Sequence, residues 1–188
     1  MASDNIEPTI YPVDLNGATH EDYLEMASLI EEKLGRLDGV LHNAGELGPR
    51  KSLKDYDVDA WNRVLQINVT AAFLMNRALI PILEQSPNGR ILLTSSGVGY
   101  VGRAHWGAYS VSKFATEGMM QVLADDLDGI SNICVNAINP GATRTHMRAS
   151  AFPAENPANV KSSESLMPLY LFLMGPDSRE LNGQSIDA

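Results

Sequence analysis

Three residues near the middle of the chain have the types and spacing to do chemistry. Tyr109 follows Ser96 by thirteen positions, and Lys113 comes four positions later. A helix through "AYSVSK" places Tyr109 and Lys113 on one face, because residues four apart are neighbours on a helix surface. An ammonium beside a phenol favours the phenolate, so the pair predicts a tyrosine drawn down from about 10 toward working pH. Such a tyrosine can give a proton to a carbonyl oxygen or take one from an alcohol. With six tyrosines in 188 residues, the spacing alone is weak evidence, and a solvated helix face would explain it. Ser96, at the end of an apolar strand-like run, shifts the reading toward a site. Ser95 is the rival serine, with a spacing of fourteen.

A second pattern overlaps the first. Gly97, Gly99 and Gly102 make a Gly-x-Gly-x-x-Gly string. A dinucleotide-binding turn needs a strand, the glycines, an immediate helix, and an acid about 20 residues on at the end of another strand. Here the next helix starts several residues after Gly102, and the acids near position 125 fall late in that helix. These glycines are expected to let a loop turn sharply over a site.

The elements that must hold these residues alternate between strand-like and helix-like segments. "TIYPVDL" (Thr9 to Leu15) reads as a strand, and a helix follows from about His20 to Leu34. "LDGVLHNAG" is a second strand. Asp59 looks like the cap of a long helix from Ala60 to about Gln85, with Pro81 expected to kink its far end. "GRILLTSS" is a third strand, and its continuous apolar run suits burial on both faces. A second long helix spans roughly Ala108 to Leu127, and "NICVNAINPG" is a fourth strand. An irregular stretch with Pro153 and Pro157 leads to a helix near Ser165 to Met174 and a last strand, "GQSIDA". This alternation predicts an α/β fold, a doubly wound parallel sheet covered on both faces. In such sheets functional residues gather at the carboxyl ends of the strands, where Asp14, Asn43 to Gly45, Ser95, Ser96, Pro140 and Gly141 fall.

Composition bounds the function. The formal charge of −9 argues against nucleic acid or an anionic membrane as partner, since phosphates would be repelled. The single cysteine, Cys134, excludes an internal disulfide; it suits a reducing compartment and reads as a buried, inert thiol. No signal-peptide pattern opens the chain. Polar residues interrupt the run from Val64 to Leu83, which reads as a buried helix and not a span. The four histidines show no metal spacing, so no metal is expected. Asn68-Val69-Thr70 fits a glycosylation pattern that is idle without secretion. The expectation is a cytoplasmic protein.

From Thr9 to Ala188 the chain resembles the short-chain dehydrogenase/reductase family. The resemblance rests on Asp14-Leu15 after a strand, the Asn43-Ala44-Gly45 turn, Asn68 on a helix, Ser96/Tyr109/Lys113, and the Pro140-Gly141 turn with Thr143 and Thr145. Within the family, "WGAYSVSKFATEGMMQVLADD" and "NPGATRTHMRASAFP" are similar to the YciK-type bacterial oxidoreductases, a subgroup of unsettled substrate. The resemblance implies an NAD- or NADP-dependent oxidoreductase that interconverts a small-molecule carbonyl and alcohol by hydride transfer. Tyr109 would be the acid/base. Lys113 would lower its pKa and hold the nicotinamide ribose, Ser96 would bind the substrate oxygen, and Asn68 would support a proton relay. Asp14, Leu15, Asn43, Ala44, Gly45, Pro140, Gly141, Thr143 and Thr145 would join Tyr109 and Lys113 in holding the cofactor. Asn43 and Asn68 also have a plain structural use, tying backbone across the sheet.

The family's opening strand, Gly-rich phosphate-binding turn, helix and second strand have no counterpart here. The expected fold is therefore a single Rossmann-like domain over residues 1–188, N-terminally truncated and lacking the family's first two strands, with weak dinucleotide affinity. The strand from Thr9 to Leu15 would either slide in beside Leu37 to Leu41 or stay displaced. A second reading is an impaired family member, or a binding or regulatory protein derived from one, that cannot hold the dinucleotide. Apolar residues on the two long helices (Phe73, Leu74, Met119, Met120 and Val122) predict a homodimer with a helical interface. Substrate specificity is expected in the segment from His146 to Asn159.

Overall fold

The fold is known from a computed structural model, which describes residues 8–188. Its frame is a parallel sheet of β1 (Gly39–His42), β2 (Gly89–Thr94), β3 (Ile133–Asn139) and β4 (Ser185–Asp187), paired in that order. The apolar run of β2 occupies an inner position, and its first five residues are buried. Successive side chains on a strand point to opposite faces, and the sheet shows it. Ile91 and Leu93 of β2, with Ile133, Val135 and Ala137 of β3, face one core, whereas Leu92 and Ile138 face another.

Helices cover both faces. The first core is closed by α1 (His20–Leu34), α3 (Ala71–Leu83) and α4 (Gly107–Leu127), the second by α6 (Met167–Met174). α1 begins where its sequence says, because the Thr19 amide and hydroxyl both donate to the Asp22 carboxylate at 2.7 and 2.9 Å. It ends at Gly35, whose φ of 70° is left-handed.

The long second helix differs from expectation. Asp57, not Asp59, caps it, accepting from the Ala60 amide at 2.8 Å, so α2 starts at Val58 and runs to Leu65. A π-helical turn over Gln66–Thr70 separates α2 from α3, and Pro81 lies inside α3 two residues before its end. The run Val58–Leu83 is long and apolar enough by composition to cross a membrane. Here Ala71, Ala78, Leu79, Ile82 and Leu83 sit in the core cluster against α1 and the sheet.

Thr9 to Leu15 forms no strand. Neither arrangement expected of that strand is found, since the segment neither pairs beside β1 nor forms a separate strand. Tyr11, Val13 and Leu15 pack on the first core with alternating burial, the pattern of a strand. A strand needs a ladder partner, however, and among the described residues none lies alongside. The outer edge of β1 is unpaired in the same set. Two smaller corrections follow. The stretch after β3 contains a short helix, α5 (His146–Ala151), capped by the Thr145 hydroxyl accepting from the Arg148 amide at 3.1 Å. Cys134 is half-buried, its thiol facing the Arg179 carbonyl at 3.4 Å. On the long helices, Met120 is a core residue, while Phe73 and Val122 are more than half exposed.

Candidate active site

Because the strands are parallel, their carboxyl ends open on one edge of the sheet. Asn43 to Gly45 leave β1 there, Ser95 and Ser96 leave β2, and Pro140 and Gly141 leave β3. The first turns of α4 carry Tyr109 and Lys113 past this edge. Together these segments line a cavity of about 310 Å³ that contains Asn43, Gly45, Ser96, Tyr109, Lys113, Pro140, Gly141, Thr143 and Thr145. A smaller hollow of about 80 Å³ adjoins it, lined by Leu15, Asn43, Ala44, Asn68 and Lys113 among others.

Glycines set the approach of α4. Gly107, its first residue, has φ 45°, and the space a side chain would fill is occupied by the Tyr56 ring. A Cβ on Gly99 would come within 2.9 Å of the Lys113 carbonyl. The 3-10 turn Gly97–Gly99 is thus pressed onto α4, and the Ser110 hydroxyl donates to the Val98 carbonyl at 2.7 Å. The glycine string opens no α-helix; its use at Gly99 is a close packing contact, and not the sharp left-handed turn expected, since Gly97, Gly99 and Gly102 all have negative φ.

The π turn has a visible use. It directs Asn68, which is buried, onto the loop after β1. Asn68 accepts from the Glu46 amide at 2.7 Å and donates to the Glu46 carbonyl and to Ser112 Oγ, both at 2.9 Å. That contact fixes Gly45 beside Lys113, since a Cβ there would lie 4.0 Å from Nζ. Lys113 Nζ donates to the Thr94 carbonyl at 2.6 Å and stands 5.6 Å from the centroid of the Tyr109 ring.

The electrostatics correct one expectation. The Tyr109 phenol is pushed above its ordinary value by burial, and the Ser96 hydroxyl facing it only partly offsets this. Lys113 is itself lowered to about 8, by burial first and against the pull of the Glu117 carboxylate. Spacing suggested that the ammonium would bring the phenol down. In the folded protein the low-dielectric surroundings act more strongly on both groups.

Most of the residues singled out from sequence meet here, but Asp14 does not. It lines neither cavity, and its carboxylate accepts from the Asn16 amide at 3.0 Å within a turn. Asn43 accepts from the Thr94 hydroxyl at 3.0 Å, a side-chain link between the ends of β1 and β2. Thr143, buried, donates to the Pro140 carbonyl at 3.0 Å and stiffens that turn. The far wall is made by Leu47, Trp106, Met147, Arg148, Ala151 and Phe152; the last four lie in the segment from His146 to Asn159 where substrate specificity is expected, whereas Leu47 and Trp106 were not singled out from sequence. Arg50 holds this wall together. Its guanidinium stacks 4.5 Å from the Trp106 ring and 5.1 Å from Phe152, and donates to the Ala151 carbonyl at 2.5 Å. Sequence reasoning missed Arg50 as well, which lies far along the chain from the wall it supports. Among the described residues no cluster of three or more His, Cys, Asp or Glu could hold a metal.

The cavity has features that could hold part of a dinucleotide. The Ser95 hydroxyl is buried without a partner on its wall, Gly141 offers a side-chain-free turn at φ 63°, and Lys113 reaches the space beside Gly45.

A family model described as short chain dehydrogenase matches residues 2–156. The chain is 50% identical over 182 residues to the uncharacterized oxidoreductase YciK of Escherichia coli (strain K12), covering 97% of this chain and 71% of that one. It superposes with a TM-score of 0.95 on a short chain dehydrogenase from Salmonella enterica serovar Typhi, at 50% identity over 97% of this chain and 74% of that one. A chain from Shigella flexneri 2a solved in complex with NADP gives a TM-score of 0.94, also at 50% identity, over 97% and 75% of the two chains.

Proposed function

Since the chain belongs to the short chain dehydrogenase family, we propose that its cavity interconverts a carbonyl and an alcohol with a nicotinamide dinucleotide, Tyr109 moving the proton. The observation that carries this is the convergence of Ser96, Tyr109 and Lys113 on one cavity at the carboxyl edge of a parallel sheet. A bound NAD or NADP supplies the hydride; the Shigella relative solved with NADP makes the phosphorylated form the first to try.

The protein's own residues do the rest. Ser96 donates to the substrate oxygen and steadies the charge that grows on it. Tyr109, held above its ordinary value by burial, keeps its proton at neutral pH and so is poised as the acid that protonates the oxygen in the reductive direction. Lys113 lowers the cost of the phenolate left behind and binds the ribose hydroxyls. Asn68 fixes the loop at Glu46, which sets the floor beside Lys113. Asn43 to Gly45, Pro140, Gly141, Thr143 and Thr145 enclose the nicotinamide side, and Leu47, Trp106, Met147 and Phe152 enclose an apolar substrate body. Exposed Phe73, Phe114 and Val122 on the long helices support association of two copies through those helices.

The test is oxidation of NADPH and NADH by the chain with a panel of small ketones and aldehydes. Tyr109→Phe should cut turnover at least about 100-fold with dinucleotide affinity nearly intact. A Tyr109→Phe protein turning over near the parent rate refutes the assignment.

A further inference from the structure

Glu117 is a buried carboxylate with no part in the chemistry above. It lies on α4 four residues after Lys113, so the two share a face of the helix. No direct ion pair joins them among the described residues, and the carboxylate acts on the Lys113 ammonium through space. Both residues are almost fully enclosed, Glu117 at 5% and Lys113 at 6% exposure. One carboxylate oxygen accepts from the Ser185 hydroxyl of β4 at 3.1 Å, and the same hydroxyl meets the Tyr100 phenol from the loop after β2. The other oxygen is buried with no hydrogen-bond partner. A buried carboxylate with half its acceptor capacity unused is costly unless a nearby cation compensates it.

We propose that Glu117 is a positioning residue, a buried counter-charge held by Ser185 that keeps Lys113 protonated inside the cavity wall. Tyr109 and the Thr94 carbonyl face Lys113, Ser185 and Tyr100 face Glu117, and Asp187 acts on Tyr100 from the end of β4. Lys113 is therefore set between burial, which favours the neutral amine, and Glu117, which favours the ammonium. Through Ser185, the last strand of the sheet reaches the catalytic helix. The significance of Lys113 rests on the function proposed above, but its protonation can be read without turnover.

The experiment is a lysine carbon-13 NMR titration of the 188-residue chain, with the Lys113 signal assigned by its loss in Lys113→Arg. In the parent Lys113 should titrate at about 8. In Glu117→Gln it should titrate lower by about one unit or more, the usual effect of removing an adjacent opposite charge. Glu117→Asp, which retains the charge one methylene further back, should fall between. Ser185→Ala should move it the same way by less. If Glu117→Gln fails to fold, the Glu117→Asp and Ser185→Ala proteins carry the test. Lys113 titrating as in the parent in every folded variant overturns the proposal. A shifted Lys113 with turnover unchanged supports the coupling and instead counts against the catalytic role of the lysine.

Discussion

Replacing Lys113 by methionine should alter stability in a way that only a buried, charged lysine can explain. The ammonium titrates at about 8 in the folded protein against an ordinary 10.5, which corresponds to about 3 kcal/mol opposing folding while the group is charged in both states. At pH 7, below both values, that penalty is fully present. Methionine of similar length removes it. The same change strips the Thr94 carbonyl of the donor that sits at 2.6 Å, at a cost of about 1–3 kcal/mol, and leaves Glu117 without its cation. The two effects nearly cancel at pH 7, so the informative quantity is how the difference changes with pH. As pH rises through 8 toward 10.5, the unfolded chain holds more protons at this position than the folded one, so the parent gains stability. Between pH 7 and 9.5 the gain should be about 2 kcal/mol relative to Lys113→Met. Urea unfolding of both proteins at half-unit steps measures it. A difference that stays constant from pH 7 to 9.5 would show that Lys113 is hydrated and freely charged, refuting its burial in the cavity wall.

His42 is pushed below its ordinary value by burial, against a 2.7 Å hydrogen bond to Asn76. Stability should therefore fall as pH drops below about 6.5, where the unfolded chain takes up a proton first, and His42→Gln should flatten that part of the acid limb in thermal melts. Gly107→Ala should lower stability by about 2–4 kcal/mol, because φ 45° strains an L residue and the Tyr56 ring holds the space; a loss under about 0.5 kcal/mol in urea titration would mean the start of α4 yields. Arg50→Ala should raise KM for the carbonyl substrate about tenfold through loss of the Trp106–Phe152 stack, with dinucleotide affinity unchanged in fluorescence titration; an equal rise for both ligands would place Arg50 outside the substrate wall.

The local pattern of the chain determined much of this protein. Short apolar runs bounded by turn residues, alternating with longer helix-like stretches, located α1, α4, α6 and the four strands of the described residues within a few residues, because such patterns are carried by each segment itself. The spacing of Ser96, Tyr109 and Lys113 was legible for the same reason. A strand end and a helix face are local properties, and parallel topology brings them to one edge.

What the tertiary structure decided depends on neighbours distant in sequence. Thr9 to Leu15 has the alternation of a strand, but strand formation requires a partner, and that residues 9–15 could not specify. Arg50 meets Ala151 across 101 positions, and Glu117 meets Ser185 across 68; no periodicity announces such pairs. The protonation of Tyr109 and Lys113 turned on the same distinction. Four-residue spacing brings ammonium and phenol to one helix face, yet their pKa values follow how much water the surrounding strands and loops exclude. That exclusion is a property of the assembled fold, and it sets the cavity's proton chemistry more strongly than the spacing does.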